Sequence, residues 1–598
     1  MQPRRLFDLT FFQQERYPKL DMLAAKNADA GDPESWQSYS TDQVIRLSEQ
    51  LALKLVSMGM SAGDFTPEHQ DKIALLSQNR PEWIITDLAI QQTGCVSIPI
   101  YPTISTPELE YVLKESEAKI AFVSDAAMYQ KVAEIRPKLP QLQHIYSFDQ
   151  ISGVLHWKEL LMDQQDPAAL AALHQCRDSI QTQHLVTIIY TSGTTGFPKG
   201  VMLTHQNILS NVLGTLQYLP VDQQGRALSF LPLNHVYERM ITYLYIYAGV
   251  SIYYAENMDS IGKNLLEVRP SIFTTVPRLL EKVYERIMAK GFELKGIKRA
   301  LFFWSVNLGK RYELNQPTAG WYQLRLALAR KLVFSKWKAA LGGNIQVIVT
   351  GSAACQERLL RLFTAAGIPI LEGYGLTETS PVISVNRMEE QERMFGTVGP
   401  AIEEVEIKIA ADGEILCKGP NIMLGYYKHP EQTIEAMQDG WFHTGDIGTL
   451  VEGKFLKITD RKKELFKTSG GKYVAPLPIE NKMKESPYIE QIMVVGNNRK
   501  FASALIVPNF SHIQDWAKRQ KLEFRDRDQM IHHPQVVELI SQAVNRYNLL
   551  FNHVEQVKKF TLLSEEWTIE GGELTPTLKL KRKVIESKYE QAIEQMYT

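Results

Sequence analysis

Cysteine is scarce in this chain: Cys95, Cys176, Cys355 and Cys417 are the four among 598 residues, and no two form a C-x-x-C pair. That excludes a disulfide framework and a cysteine zinc site, and it predicts a reduced, cytoplasmic protein. An excess of charge of one sign is also missing. The 66 Lys and Arg against 67 Asp and Glu leave a net charge of −1, so no nucleic-acid partner is expected. Long apolar runs are absent too. The longest, Met240–Tyr254, is about 15 residues and rich in tyrosine, short of the ~20 that a membrane span needs, and it reads as buried core. At the N-terminus Arg4 and Arg5 run into Asp8 and Gln13–Arg16 before any apolar segment of signal length, so no secretory signal is expected. No internal repeat or low-complexity tract interrupts the chain.

What is present is the composition of a globular protein, 44% hydrophobic and 22% charged. The length exceeds what one hydrophobic core supports and predicts several units of ~150 residues. From about Ile73 to Asp125 and from Ile180 to Leu371, short β-branched runs alternate with amphipathic stretches. Thr204 reads as an N-cap for a helix carrying Ile208, Leu209, Val212, Leu213 and Leu216. Asn344–Thr350 reads as a strand, Cys355–Ala366 as a helix stopped by Gly367, and Ile368–Leu371 as the next strand. The fold class expected is therefore α/β: parallel sheets covered by helices, plus a small antiparallel β unit over Val398–Lys418. After a charged junction at Gly445–Lys472, Ile489–Val495 and Ala502–Pro508 read as strands, followed by a polar helical region. A separate C-terminal α+β domain is expected, with the large domain spanning 1–460 and the smaller one 461–598.

The strongest motif is Tyr190-Thr191-Ser192-Gly193-Thr194-Thr195-Gly196-Phe197-Pro198-Lys199-Gly200, directly after the apolar run Leu185–Ile189. Hydroxyls, backbone N–H groups and one ammonium suit an anion, above all a polyphosphate. A Walker A loop would need a Ser or Thr after the lysine; here Pro198 precedes it and Gly200 follows, so the loop is not that of a P-loop NTPase. An ordinary Gly/Ser/Thr surface turn is the alternative. A second motif, Gly373-Tyr374-Gly375-Leu376-Thr377-Glu378-Thr379, stands at the carboxyl end of a predicted strand, where open α/β sheets bind ligands. A tyrosine face suits a purine, a threonine hydroxyl a phosphate, and a glutamate oxygen Mg²⁺; a capped helix start is the alternative. Gly351-Ser352-Ala353-Ala354 is a small-residue turn that lets a ligand approach the backbone, or a plain strand–helix connection.

Together these runs resemble the signatures of the adenylate-forming (AMP-binding) enzymes. Further matches are Thr444-Gly445-Asp446, Arg461 within Asp460–Glu464, and Leu574–Arg582. The resemblance implies the following roles. Thr191, Ser192, Gly193, Thr194, Thr195, Gly196 and Lys199 hold the phosphates of ATP. Gly351, Ser352, Ala353, Gly373, Tyr374 and Gly375 line adenine and the acyl group. Thr377 and Glu378 serve the reaction, Glu378 with Thr191 holding Mg²⁺, and Asp446 and Arg461 hold the ribose. Lys579 reaches the α-phosphate; Thr-Leu replaces the usual Ser-Gly before it, which leaves Lys581 as an alternative. The C-terminal domain is expected to be mobile, hinged near Lys463, with Gly470 and Gly471 beside the CoA pantetheine. No Ser/His/Asp or Cys/His arrangement stands out. His235 is either a base for the thiol or a structural histidine.

The runs Leu231–Arg239, Phe466–Pro476 and Leu574–Lys583 are most similar to long-chain fatty acid–CoA ligases. The expected activity is ATP-dependent formation of an acyl-adenylate from a long-chain fatty acid, then transfer to CoA. An acyl-ACP synthetase, with acyl carrier protein as acceptor, and a catalytically silent acyl or nucleotide sensor are the alternatives. Residues 290–341 carry eleven basic against two acidic side chains, a local charge of about +9, interleaved with Phe302, Phe303, Trp304, Trp321 and Trp337. This segment suits peripheral contact with an anionic membrane, or is a solvated basic face.

Overall fold

Continuous β-branched runs such as Lys72–Leu76, Val96–Ile100 and Ile120–Val123 form strands buried along their whole length, as parallel strands covered on both faces must be. They belong to a computed structural model that describes residues 2–26, 35–162, 167–191, 198–314, 320–569, 571–575 and 578–598. The chain divides into two compact units. One comprises Met1–Ser352, Glu357–Ile407 and Cys417–His443, the other Ala353–Gln356, Lys408–Leu416 and Thr444–Thr598.

The first unit holds two eight-stranded sheets. In one, the neighbouring strands run Val382–Val385, Ile370–Gly375, Val347–Thr350, Ile272–Thr275, Arg226–Ser229, Ser251–Tyr254, Leu23–Lys26 and Trp36–Tyr39. In the other they run Gly425–Tyr426, Lys199–Thr204, Leu185–Thr191, Val96–Ile100, Lys72–Leu76, Ile120–Val123, His144–Ser147 and Leu155–His156. The interiors are parallel as expected. Antiparallel strands occupy both edges of the first sheet and one edge of the second, so the sheets are mixed rather than parallel throughout. Ile370–Gly375 and Val382–Val385, and Leu185–Thr191 and Lys199–Thr204, are consecutive strands joined by connections too short for the helical crossover that a parallel pair requires.

The helix Val236–Ala248 is buried nearly all round and joins the sheets. Glu238 accepts hydrogen bonds from Ser229 and Thr274 of the first sheet, each 2.6 Å. Arg239 donates to Thr187 (2.7 Å) and Ser97 (2.8 Å) of the second, and pairs with Asp87 at 2.5 Å. Gly249, at φ +73°, ends the helix, and Ser251–Tyr254 follows as a strand. The apolar tract is thus helix, turn and core strand, and no helix among the described residues is long and apolar enough to cross a membrane.

Residues 290–341 belong to a set of helices: Pro277–Glu293, Gly296–Gly309, Gly320–Ala329, Arg330–Phe334 (a π turn) and Ser335–Ala340. Their aromatics divide. Phe302 and Trp337 are buried in the packing between these helices, whereas Trp321 is 67% exposed, beside Leu324, Leu328 and Leu332 on the same exposed face.

In the second unit, Ile489–Val495 and Ala502–Pro508 are antiparallel strands at the expected bounds. A third strand, Val557–Leu562, pairs parallel to the latter within the region expected to be helical. It lies at a sheet edge with Lys558 and Lys559 exposed, which gives it the polarity of a surface helix. Helices Pro476–Met483, Phe510–Arg519 and Pro534–Asn548 bury their apolar faces, with the sheet, in one core.

Candidate active site

In the first unit the carboxyl ends of parallel strands bring three predicted segments together. The register sets Thr350 beside Glu372, so Gly351 and Gly373 are neighbours. A Cβ on Gly351 would sit 3.4 Å from the Gly373 carbonyl and 3.7 Å from the Tyr237 ring. Ser352 follows at φ +68°, a left-handed conformation that non-glycine residues adopt at a cost, and Ala353 is exposed. The strand expected to end at Leu371 continues to Gly375, so Gly373, Tyr374 and Gly375 are strand residues, not loop residues. Gly375 has no alternative, because a Cβ there would overlap the Pro381 carbonyl. Thr377 and Glu378 follow in a single 3-10 turn, Thr377–Thr379. Asn211, from the helix His205–Leu216, locks this turn through Val382 N (3.0 Å) and Val382 O (2.7 Å). No motif marks Asn211.

The phosphate-loop motif is flanked by two antiparallel strands: Thr191 pairs with Lys199 and Tyr190 with Gly200. Ser192, Gly193, Thr194, Thr195 and Gly196 lie outside the described residues. The loop is followed by a strand, Lys199–Thr204, and only then by the helix that Thr204 caps through Asn207 N. This strand–loop–strand order separates the loop from a Walker A fold by topology as well as by spacing. Across the hairpin edge Tyr426 donates to Glu378 Oε1 at 2.9 Å, and Lys199 Nζ lies 5.1 Å from the centre of its ring.

Among the described residues no group of three or more His, Cys, Asp or Glu side chains could hold a metal. Glu378 offers one carboxylate, a hard oxygen donor, and Thr191 a hydroxyl within 3.5 Å of the Lys199 carbonyl. Carboxylate and hydroxyl oxygens are donors of the kind Mg²⁺ takes, and it is commonly held by one or two carboxylates together with substrate phosphates and water.

His235 is the N-cap of the helix Val236–Ala248, its Nδ1 accepting from Tyr237 N at 3.1 Å, which is a structural task. The adjacent Glu238 is wholly buried. Desolvation pushes its carboxyl up to about 7, against the opposing hydrogen bonds from Ser229 and Thr274.

The second unit brings together Asp446 and Arg461. They are opposite each other on antiparallel strands, Trp441–Val451 and Phe455–Arg461, with Arg461 Nε 3.5 Å from Asp446 Oδ1. Asp446 is buried while Arg461 stays partly exposed. Lys463 is exposed in the turn that follows and lies between two anchored neighbours. Lys462 pairs with Asp412 (2.7 Å) and Glu414 (2.8 Å), and its N–H reaches Gly445 O at 2.8 Å. Glu464 accepts from Arg582 Nε at 3.1 Å, and Arg582 also holds both oxygens of buried Glu480 at 2.7 Å. Gly470 and Gly471 lie in the tip loop between the paired strands Phe466–Lys467 and Tyr473–Val474. Gly471 needs its φ of +78°, but a Cβ on Gly470 would meet only Thr468 Oγ1, at 3.9 Å. Packing within the molecule therefore does not explain Gly470.

Lys579 is in a second tight loop, where Leu574 bridges to Leu580. Thr575 N donates to Lys579 O (2.9 Å) and Lys579 N to Thr575 Oγ1 (3.0 Å). Leu578 and Leu580, the residues on either side of Lys579, pack against the core. Lys581 N is tied to Glu573 O at 2.8 Å and starts the helix Arg582–Lys588. Lys579 is the lysine nearer the loop tip.

The fold and these clusters define a two-unit α/β protein with nucleotide-type loops, and sequence comparison gives it a family. Residues 12–427 match the AMP-binding enzyme family and residues 464–598 the AMP-binding enzyme C-terminal domain. The chain belongs to the AMP-binding enzyme family. It is 34% identical to the long-chain-fatty-acid–CoA ligase FadD15 of Mycobacterium bovis, covering 94% of this chain and 92% of the relative. It is 31% identical to long chain acyl-CoA synthetase 7, peroxisomal, of Arabidopsis thaliana, over 94% and 82%. In fold it is similar to the A domain of carboxylic acid reductase from Segniliparus rugosus (TM-score 0.74, 19% identity, 100% and 94% covered). It is likewise similar to o-succinylbenzoate CoA synthetase from Bacillus subtilis (TM-score 0.68, 19% identity, 98% of each).

Proposed function

We propose that this enzyme is a long-chain fatty acid–CoA ligase, which converts a fatty acid, ATP and CoA to acyl-CoA, AMP and pyrophosphate through an acyl-adenylate. Its similarity to FadD15 along 94% of the chain carries this reading. A fatty acid carboxylate has a pKa near that of Glu and is ionised at neutral pH, so it needs no base before attacking the α-phosphate. The enzyme must hold the two in line and neutralise charge, and that is most of what phosphoryl-type transfer requires.

The hairpin loop from Thr191 through Ser192, Gly193, Thr194, Thr195 and Gly196 to Lys199 would cradle the β- and γ-phosphates. Tyr374 would face adenine, and the turn Gly351, Ser352 and Ala353, beside Gly373 and Tyr237, would admit adenine and the acyl group close to the backbone. Asp446 would accept from the ribose hydroxyls, with Arg461 beside it. Thr377 would donate to the α-phosphate and Lys579 would neutralise its developing charge. Glu378, with Thr191, would hold Mg²⁺, which when bound with ATP polarises the phosphates and offsets their charge. After adenylation the C-terminal domain, residues 461–598, would turn about Lys463. Gly470 and Gly471 would then admit the pantetheine, and the CoA thiol would displace AMP.

The deciding experiment is pyrophosphate release measured across a series of fatty acid chain lengths, with CoA, with acyl carrier protein and with neither. Release that depends on long chains, with acyl-CoA formed only when CoA is supplied, is expected. Thioester formation on carrier protein alone would replace this reading with the acyl-ACP one. The exposed apolar row Trp321, Leu324, Leu328 and Leu332, flanked by Arg325, Lys331 and Lys336, suits an anionic bilayer surface. Co-sedimentation with phosphatidylglycerol vesicles should fall when these three cations are neutralised. Unchanged sedimentation would remove the membrane contact from the reading.

A further inference from the structure

Tyr426 lies outside every motif assigned above, yet it touches two of the side chains proposed for the metal and phosphate end of the site, Glu378 and Lys199. Its backbone is fastened on two sides. The strand Gly425–Tyr426 runs antiparallel to Lys199–Thr204 with Tyr426 opposite Val201, and Tyr427 N donates to Gly200 O at 2.8 Å. Met423 N donates to Glu378 O at 2.9 Å, and Tyr426 N to Thr433 Oγ1 at 2.9 Å. The segment is thus pinned between the start of the lysine strand and the Thr377–Thr379 turn.

The side chain uses that placement. Its hydroxyl donates to Glu378 Oε1 at 2.9 Å, and the face of its ring receives the Lys199 ammonium at 5.1 Å. A phenol keeps its proton at neutral pH, so the hydroxyl acts as a donor. Such a donor holds a carboxylate in one orientation without competing for its charge. An aromatic face likewise seats an ammonium while leaving its N–H groups to other acceptors.

We infer that Tyr426 is a positioning residue for the phosphate and metal end of the site: its hydroxyl orients Glu378 toward the cation and its ring seats Lys199 toward the phosphates. The inference rests on the roles proposed for Glu378 and Lys199.

Equilibrium ATP binding, followed by calorimetry without fatty acid so that no turnover occurs, tests it in Mg²⁺ and in EDTA. Tyr426→Phe keeps the ring and removes the hydroxyl. It should weaken binding in Mg²⁺ on the order of tenfold, the size expected for one hydrogen bond to a charged group, and leave binding in EDTA and the melting temperature unchanged. Tyr426→Leu should also weaken binding in EDTA. Equal weakening by Tyr426→Phe in both conditions would mean that the hydroxyl only supports packing, and wild-type binding in both would remove its role. Glu378→Gln, run in parallel, separates the two levels. If it abolishes the gain from Mg²⁺ while Tyr426→Phe keeps it, the inference fails and the reading of Glu378 stands. If it too leaves the gain intact, the reading of Glu378 fails and the inference falls with it.

Discussion

Leu578, the residue before Lys579, has φ +61°, a left-handed conformation that costs a non-glycine residue roughly 1–2 kcal/mol. Its N–H donates to Thr575 O at 2.8 Å and its side chain packs on the C-terminal core. The packing offsets the strain and fixes the residue that precedes Lys579. Lys579→Ala is expected to abolish adenylation yet leave thioester formation from supplied acyl-adenylate near the wild-type rate, as measured in separate half-reaction assays. Leu578→Gly relieves the strain but frees the loop, so it should slow adenylation several-fold and spare the second half-reaction; adenylation at or above the wild-type rate would show that the loop needs no such anchor. At this scale the sequence was informative about chemistry and silent about company. Glu378, Lys199, Asp446 and Arg461 stand out by motif, whereas Tyr426 and Asn211 are ordinary residue types that matter only through what they touch.

The helix Val236–Ala248 shows what an element adds. In sequence, Glu238 and Arg239 are the last two residues of the run Leu231–Arg239 that resembles long-chain ligases; in the fold each reaches a different sheet, and both are completely buried. Because burial raises the Glu238 carboxyl from 4.5 to about 7, the folded protein binds its proton more tightly than the unfolded chain does. Stability from this group is therefore greatest at low pH, falls as pH rises from about 4.5 to about 7, and is flat above; the loss is up to roughly 3 kcal/mol. Glu238→Gln cannot titrate, so its melting temperature should rise relative to wild type as melts move from pH 5 to pH 7.5. A constant difference across that range would show that Glu238 does not titrate there. Elements with a clear period were legible in sequence: the strands Ile489–Val495 and Ala502–Pro508 and the helix capped by Thr204 occur as read. The edge strand Val557–Leu562 was not, because an edge strand with one exposed face lacks the apolar signature of a buried one; nor was Lys199–Thr204, which pairs antiparallel with Leu185–Thr191 without an intervening helix.

For the molecule as a whole, the proposed hinge near Lys463 would join the two half-reactions. Lys462 is tied to Asp412, Glu414 and Gly445, and Glu464 to Arg582. Rotation would be concentrated in the exposed residue between them, Lys463, since the backbone on either side is held. Lys463→Pro restricts φ to about −65° and should slow thioester formation from supplied acyl-adenylate by at least about tenfold, with adenylation much less affected. Equal slowing of both half-reactions would place the pivot elsewhere.

The sequence by itself determined the chemistry available: the anion-binding loop, the carboxylates, the lysines, the α/β class and the family resemblance. Those follow from residue types within a few positions of one another, where turn preferences and hydrophobic period act locally. Tertiary structure alone decided which distant groups meet. Asp446 faces Arg461 because of strand register, Tyr426 reaches Glu378 because an edge strand docks beside Lys199, and Glu238 and Arg239 join two sheets because one helix passes between them. A hydrogen bond requires placement to within a few tenths of an ångström, and over such separations along the chain only the packed fold supplies it.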